Sequence, residues 1–203
     1  MANATRWAGV PLSDRRADRR ARLIDAAFAE VGGETPGVLS VRSVCRACGF
    51  NTRYFYESFT GVDELLGAVY DDVARDLAEE VAAAVTAAGR SARARTAAGI
   101  RAVLGFCSQD VRRGRILFTH DRANPVLAER RAATEELLMT SVLAETLSRQ
   151  QISGGRGRDV VGGRVAAAMY TGAMTALAEQ WIGGHLGDDL DEVVTAALTF
   201  ILR

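Results

Sequence analysis

Residues 39–66 read LSVRSVCRACGFNTRYFYESFTGVDELL and hold two short helical segments around a glycine. Ser40 suits the cap of a short helix over 41–48, because its hydroxyl can accept from a free backbone N–H of the first turn. Gly49 permits the tight turn that ends that helix. A second short helix over 51–56 follows at once, carrying Asn51, Thr52, Arg53, Tyr54 and Tyr56. Two short helices meeting at a glycine, the second with polar and aromatic residues at exposed positions, follow helix-turn-helix logic. The first helix turns Val44 and Cys48 inward and braces the second. The second must fit a DNA major groove and offer donors to base edges and phosphates.

The flanking sequence reads as helix throughout. Residues 1–17 are small, polar and basic without periodicity, and read as a flexible basic arm. A helix over 18–31 sets Ile24, Ala27, Phe28 and Val31 on one stripe and ends at Gly32-Gly33. Thr60 and Asp63 give a capping signal for a long helix to about residue 87, with Leu66, Val69, Val73, Leu77 and Val81 on one side. Further helices are expected from about 91 to 107, over 110–119, from Asn124-Pro125 to 149, over 159–182 and over 190–202. No useful length alternates at period two, so the fold class is all-α with about nine helices. The domains are the arm 1–17, a helix-turn-helix head 18–60 and a helical bundle 61–203.

Composition bounds the chemistry. The 203 residues, 48% hydrophobic, suffice for one domain or a small pair. All 25 basic residues are Arg, which rules out a Schiff-base lysine and a phosphate-loop lysine. The formal net charge of zero argues against a wholly basic nucleic-acid coat. That average hides a pattern: residues 1–59 carry nine Arg and six acids, 60–89 one and seven, 90–131 ten and three, and 132–203 five and nine. Three Cys are too few for a disulfide framework, no apolar signal core opens the chain, and the longest uncharged run, 165–178, is too short to span a membrane. The expected setting is the cytoplasm, without a membrane partner. Cys45-x-x-Cys48 is a solitary pair, His120 and His185 are isolated, and no Gly-x-Ser-x-Gly or His-Glu-x-x-His occurs. Neither an enzyme, a metal site nor a cofactor is expected.

The stretch 39–66 resembles the DNA-binding head of the tetracycline-repressor (TetR) family of bacterial transcription regulators. That family's pattern runs roughly Thr-x-Arg-x-Ile-Ala-x-x-Ala-Gly-Val-Ser, then Tyr-x-x-Phe, then Lys-Glu-Glu-Leu. Here it is met by Ser40, Arg42, Val44, Cys45, Cys48, Gly49, Phe50, Asn51, Tyr56, Phe59, Asp63, Glu64 and Leu65. The preceding RRARLIDAAFAEVGG is similar to the family's first helix, and the remainder has its length and layout. Two departures stand out: Val62 replaces the family's phosphate-gripping Lys, and Glu57 sits where a basic residue is common. Without that Lys, only backbone N–H groups and the helix dipole are left at that helix end to grip a phosphate.

The resemblance implies a ligand-responsive regulator, by default a repressor, that binds a palindromic double-stranded operator as a homodimer. It implies that the head, 18–60, binds DNA and that the bundle, 61–203, serves ligand binding and dimerisation. The alternative is a member with a degenerate head, acting as a small-molecule-binding helical protein. Arg42, Asn51, Thr52, Arg53, Tyr54, Tyr56 and Arg19 become the DNA-binding candidates, Arg53 for a guanine edge and Tyr56 and Arg42 for phosphates. Arg15, Arg16 and Arg20 add electrostatic candidates. A small, apolar or aromatic effector would sit among Phe106, Phe118, His120, Met139, Tyr170, Met174 and Trp181. The basic segment around Arg101, Arg112, Arg113, Arg115 and Arg122 reads either as a solvated face or as a lure for an anionic ligand. The dimer candidates are Val161, Val165, Ala168, Gly172 and Thr175, with Val194, Leu198 and Ile201 of the last helix.

Overall fold

The computed structural model describes residues 12–34, 38–119, 124–152 and 160–201. Among them the chain is all-α: α1 (Leu12–Val31), α2 (Val41–Cys48), α3 (Thr52–Tyr56), α4 (Val62–Ala87), α5 (Ala92–Gln109), α6 (Val111–Gly114), α7 (Pro125–Ile152), α8 (Val160–Ile182) and α9 (Leu190–Ile201). It forms two compact units, Met1–Asp72 and Val73–Arg203.

In the first unit, α1 turns Leu23, Ile24, Ala27 and Val31 inward, α2 contributes Val44 and Cys45, and α3 contributes Phe55. Cys45, rather than the expected Cys48, is the buried cysteine; Cys48 is half-buried. Helix α1 starts at Leu12, six residues before its expected start, so the residues 12–17 assigned to the arm are helical. Residues 1–11 lie outside the described residues. The unit also extends past the expected boundary at residue 60, because the first turns of α4 bury Leu65, Leu66 and Val69.

In the second unit, Ile100 and Leu104 of α5, Ala178 of α8, and Val193, Val194 and Leu198 of α9 form one core cluster. The α6 segment passes into a single wide π-helical turn, Arg115–Thr119. Such a turn shifts the backbone ladder and leaves carbonyls to satisfy. Arg131 of α7 does so, its Nε donating to the Leu117 carbonyl at 3.0 Å and its Nη2 to that of Ile116 at 3.4 Å. Gly114 is needed for close packing: a Cβ there would lie 2.7 Å from Ile182 Cδ1.

Candidate nucleic-acid interface

Local chemistry fixes α2 and α3. Ser40 and Ser43 form a reciprocal capping box, Ser40 Oγ accepting from Ser43 N at 3.0 Å and Ser43 Oγ from Ser40 N at 3.1 Å. Gly49 closes α2 at φ +69, a left-handed conformation that glycine adopts without strain. Asn51 then caps α3, its Oδ1 accepting from Tyr54 N at 3.2 Å. Part of the Asn51 side chain is therefore committed to shaping the helix that it opens.

Helix α3 is anchored by Phe55, which is fully buried and packs against Phe59 with ring centroids 5.9 Å apart. Around that anchor Thr52, Arg53, Tyr54 and Tyr56 face solvent, as does Arg42 on α2. Tyr56 is 61% exposed and Tyr54 39%. Guanidinium, phenol and hydroxyl groups thus stand exposed around a buried anchor, offering donors to phosphates and base edges.

Arg19 is the exception among the DNA-binding candidates. Its Nη2 lies 3.5 Å from Glu57 Oε2, and its guanidinium sits 5.1 Å from the Tyr54 ring centroid. It braces α3 from α1. Arg22 does similar work, stacking 4.5 Å from the Phe50 ring and donating to the Cys48 carbonyl at 3.0 Å. Arg20 lies over the Phe59 ring at 4.5 Å. Glu57, which the sequence marks only as an oddity, is the hub. It accepts from Arg53 Nε at 3.2 Å on Oε1, from Arg19 on Oε2, and from Arg16 Nη2 at 2.5 Å on its backbone carbonyl.

Val62 opens α4, and the carboxylate of Glu64 folds back onto Thr60, accepting from its N at 2.7 Å and its Oγ1 at 2.8 Å. These bonds hold the Glu64 carboxyl below its usual range. The Thr60 partner is therefore Glu64, not the expected Asp63, and a carboxylate already occupies the helix end considered for a phosphate.

Cys45 and Cys48 point their thiols to different acceptors, the Asn51 carbonyl at 3.8 Å and the Arg22 carbonyl at 3.1 Å. Burial pushes both thiols up, Cys48 despite the nearby Arg22.

The effector candidates separate. Phe118, Met174 and Trp181 each pack, partly buried, against the α5–α8–α9 core. Trp181 Nε1 donates to Ser108 Oγ at 2.8 Å, a partner no sequence pattern marks. Phe106 is buried beneath the Arg113 guanidinium, 4.8 Å from its ring centroid. The Tyr170 hydroxyl reaches toward Gly99, and burial pushes its phenol up. Met139 lines a different space, a groove of about 560 Å³ between α7 and α8. His120 lies outside the described residues.

That groove also takes in three of the dimer candidates. Ala168, Gly172 and Thr175 line it, opposite α7 of the same subunit. Val194 and Leu198 are buried in the subunit's own core. Val161, Val165 and Ile201 are exposed, as are Met169 and Phe200, which the sequence reading passed over. Much of the Arg-rich segment is also engaged: Arg112 pairs with Asp110 at 2.7 Å, Arg101 with Asp191, and Arg95 donates to the Val85 carbonyl at 3.2 Å. Arg122 lies outside the described residues.

No family model and no curated protein matches the chain. Solved structures do. The fatty acid degradation regulator FadR from Bacillus halodurans superposes at TM-score 0.73 with 14% identity, covering 91% of this chain and 94% of that one. FadR from Bacillus subtilis, solved in complex with stearoyl-CoA, gives 0.70 and 16%, covering 89% and 96%. A TetR-like transcriptional regulator from Rhodococcus sp. RHA1 gives 0.65 and 17%, covering 92% and 95%. With a helix-turn-helix unit leading into a helical bundle, and likeness to these regulators along nearly its whole length, the chain has the TetR-like fold.

Proposed function

We propose that the protein is a ligand-responsive transcriptional regulator, by default a repressor, that reads a palindromic operator through α3 as a homodimer. One observation carries this reading: Thr52, Arg53, Tyr54 and Tyr56 are all exposed around the single buried anchor Phe55 on a capped helix. Side chains that only filled a core would not be presented this way. Arg53 is assigned to a base edge, Tyr56 and Arg42 to phosphates, and Thr52, Tyr54 and Asn51 to the flanks of the same contact. The effector is a small apolar or aromatic molecule, and the group at Phe118, Met174 and Trp181 is its candidate seat. The stearoyl-CoA complex of Bacillus subtilis FadR supports a small-molecule effector for this fold. An effector that prefers one dimer geometry lowers DNA affinity by the coupling it experiences itself. The dimer face is assigned to Val161, Val165 and Met169 of α8, spaced four residues apart, with Phe200 and Ile201 of α9.

A gel-shift assay with DNA upstream of the protein's own gene tests the reading. Sequence-specific, salt-sensitive retardation supports it. Absence of retardation at any salt concentration overturns it in favour of a helical ligand-binding protein with a structural head.

A further inference from the structure

We infer that Glu57 is a positioning residue for sequence readout: it holds the Arg53 guanidinium in the orientation needed to recognise a guanine end-on. The inference rests on the DNA-reading role proposed above and adds a part that neither the resemblance nor the comparisons assign. Arg53 is 84% exposed, so a free side chain there would sample many rotamers. Instead its Nε donates to Glu57 Oε1 at 3.2 Å, one helical turn away. Among the described residues no bond engages its two terminal nitrogens, which are the pair that can meet guanine O6 and N7 end-on. The clasp thus uses the one nitrogen that this recognition does not need.

Glu57 is itself held. It is half-buried at the end of α3, its second oxygen faces Arg19, and its carbonyl accepts from Arg16. Arg19 in turn stacks on Tyr54, whose ring meets Phe50 edge-on at 6.0 Å between centroids. A carboxylate fixed from α1 is a firmer support than one exposed partner on the same helix. It also accounts for an acidic residue beside a surface meant for phosphates: its charge is shared with Arg19 while it orients Arg53.

The test uses the full chain. The wild type first selects its preferred site from a random duplex pool. Fluorescence anisotropy at two salt concentrations then compares that site with single-base-pair variants and random duplex, for wild type, R53A, E57A, E57D and E57Q. Circular dichroism checks the fold of each. R53A should lose discrimination at particular guanines. E57A and E57D should lose about five- to tenfold of discrimination at those same guanines, on the scale of one bidentate contact, without losing affinity for random duplex. E57Q keeps an oxygen acceptor for Nε and should retain most of the discrimination. Full discrimination in E57A, or equal changes in E57A and E57Q at every sequence, would overturn the positioning role while leaving DNA reading intact. Unaltered base preference in R53A would likewise overturn the positioning role alone, whereas no selected site for the wild type would overturn both.

Discussion

Phe55 and Arg53 stand two positions apart on a five-residue helix and divide its work. Phe55 is the only buried residue of α3, so its ring supplies most of that helix's hold on the head. Phe55→Ala should cost about 3–5 kcal/mol in urea denaturation, the usual range for emptying an aromatic core site. Arg53→Ala removes no core contact and should leave the unfolding free energy within about 0.5 kcal/mol of wild type, the surface range, while weakening specific DNA binding. Cysteine behaviour follows from the same distinction. Burial pushes the Cys107 thiol up to about 12, so almost none is thiolate at pH 8. Iodoacetamide should therefore label Cys107 far more slowly than half-buried Cys48; comparable rates by mass spectrometry would contradict the buried placement.

Elements with apolar stripes or clear punctuation are legible in the sequence. Ser40 and Gly49 mark both ends of α2 by cap chemistry, and Ile24, Ala27 and Val31 reveal α1 by spacing. What periodicity could not supply was the first turns of α1. Residues 12–17, LSDRRA, contain almost no apolar side chain, and their helicity accompanies Arg16 reaching across to the Glu57 carbonyl, 41 positions away. The π turn after α6 was hidden for a similar reason, since Arg131 satisfies its carbonyls from another helix. The candidate DNA surface was largely legible because exposure on α3 follows from one turn of helix around Phe55. The effector and dimer assignments are harder to narrow from sequence, because α8 is rich in small residues and its faces look alike until α7 and α5 pack against it. Two predictions belong to elements. Gly114→Ala would drive a methyl into Ile182 and should destabilise by about 1–3 kcal/mol, measured by thermal denaturation. Asp110 caps α6, and its hydrogen bond from Arg112 holds the carboxyl below its ordinary 3.8. A lowered native pKa adds stability that is present above that ordinary value and lost as pH falls through the lowered one. D110N should therefore be less stable near neutrality and should lose less stability between pH 4 and about pH 2, where protonation is the linked event.

At the scale of the whole molecule, the zero net charge is a sum of unlike parts. The head carries only three more Arg than acids, and Arg16, Arg19 and Arg22 are engaged in holding α3 and its supports together. On the proposed function, DNA affinity would then rest on a few exposed groups doubled by two-fold symmetry rather than on bulk charge. Met169→Glu on the exposed apolar line of α8 should convert a dimer to a monomer in light scattering at micromolar concentration; a monomeric wild type would remove the dimer. Reading of a two-fold operator by α3 is tested most directly by selecting bound duplexes from a random pool with the whole chain. The expected result is an inverted repeat with half-sites about one helical turn apart, roughly 34–36 Å, whose enriched guanines lose their preference in R53A. The same sequence with undiminished preference by R53A would remove Arg53 from the readout, and recovery of no enriched sequence would contradict reading by α3.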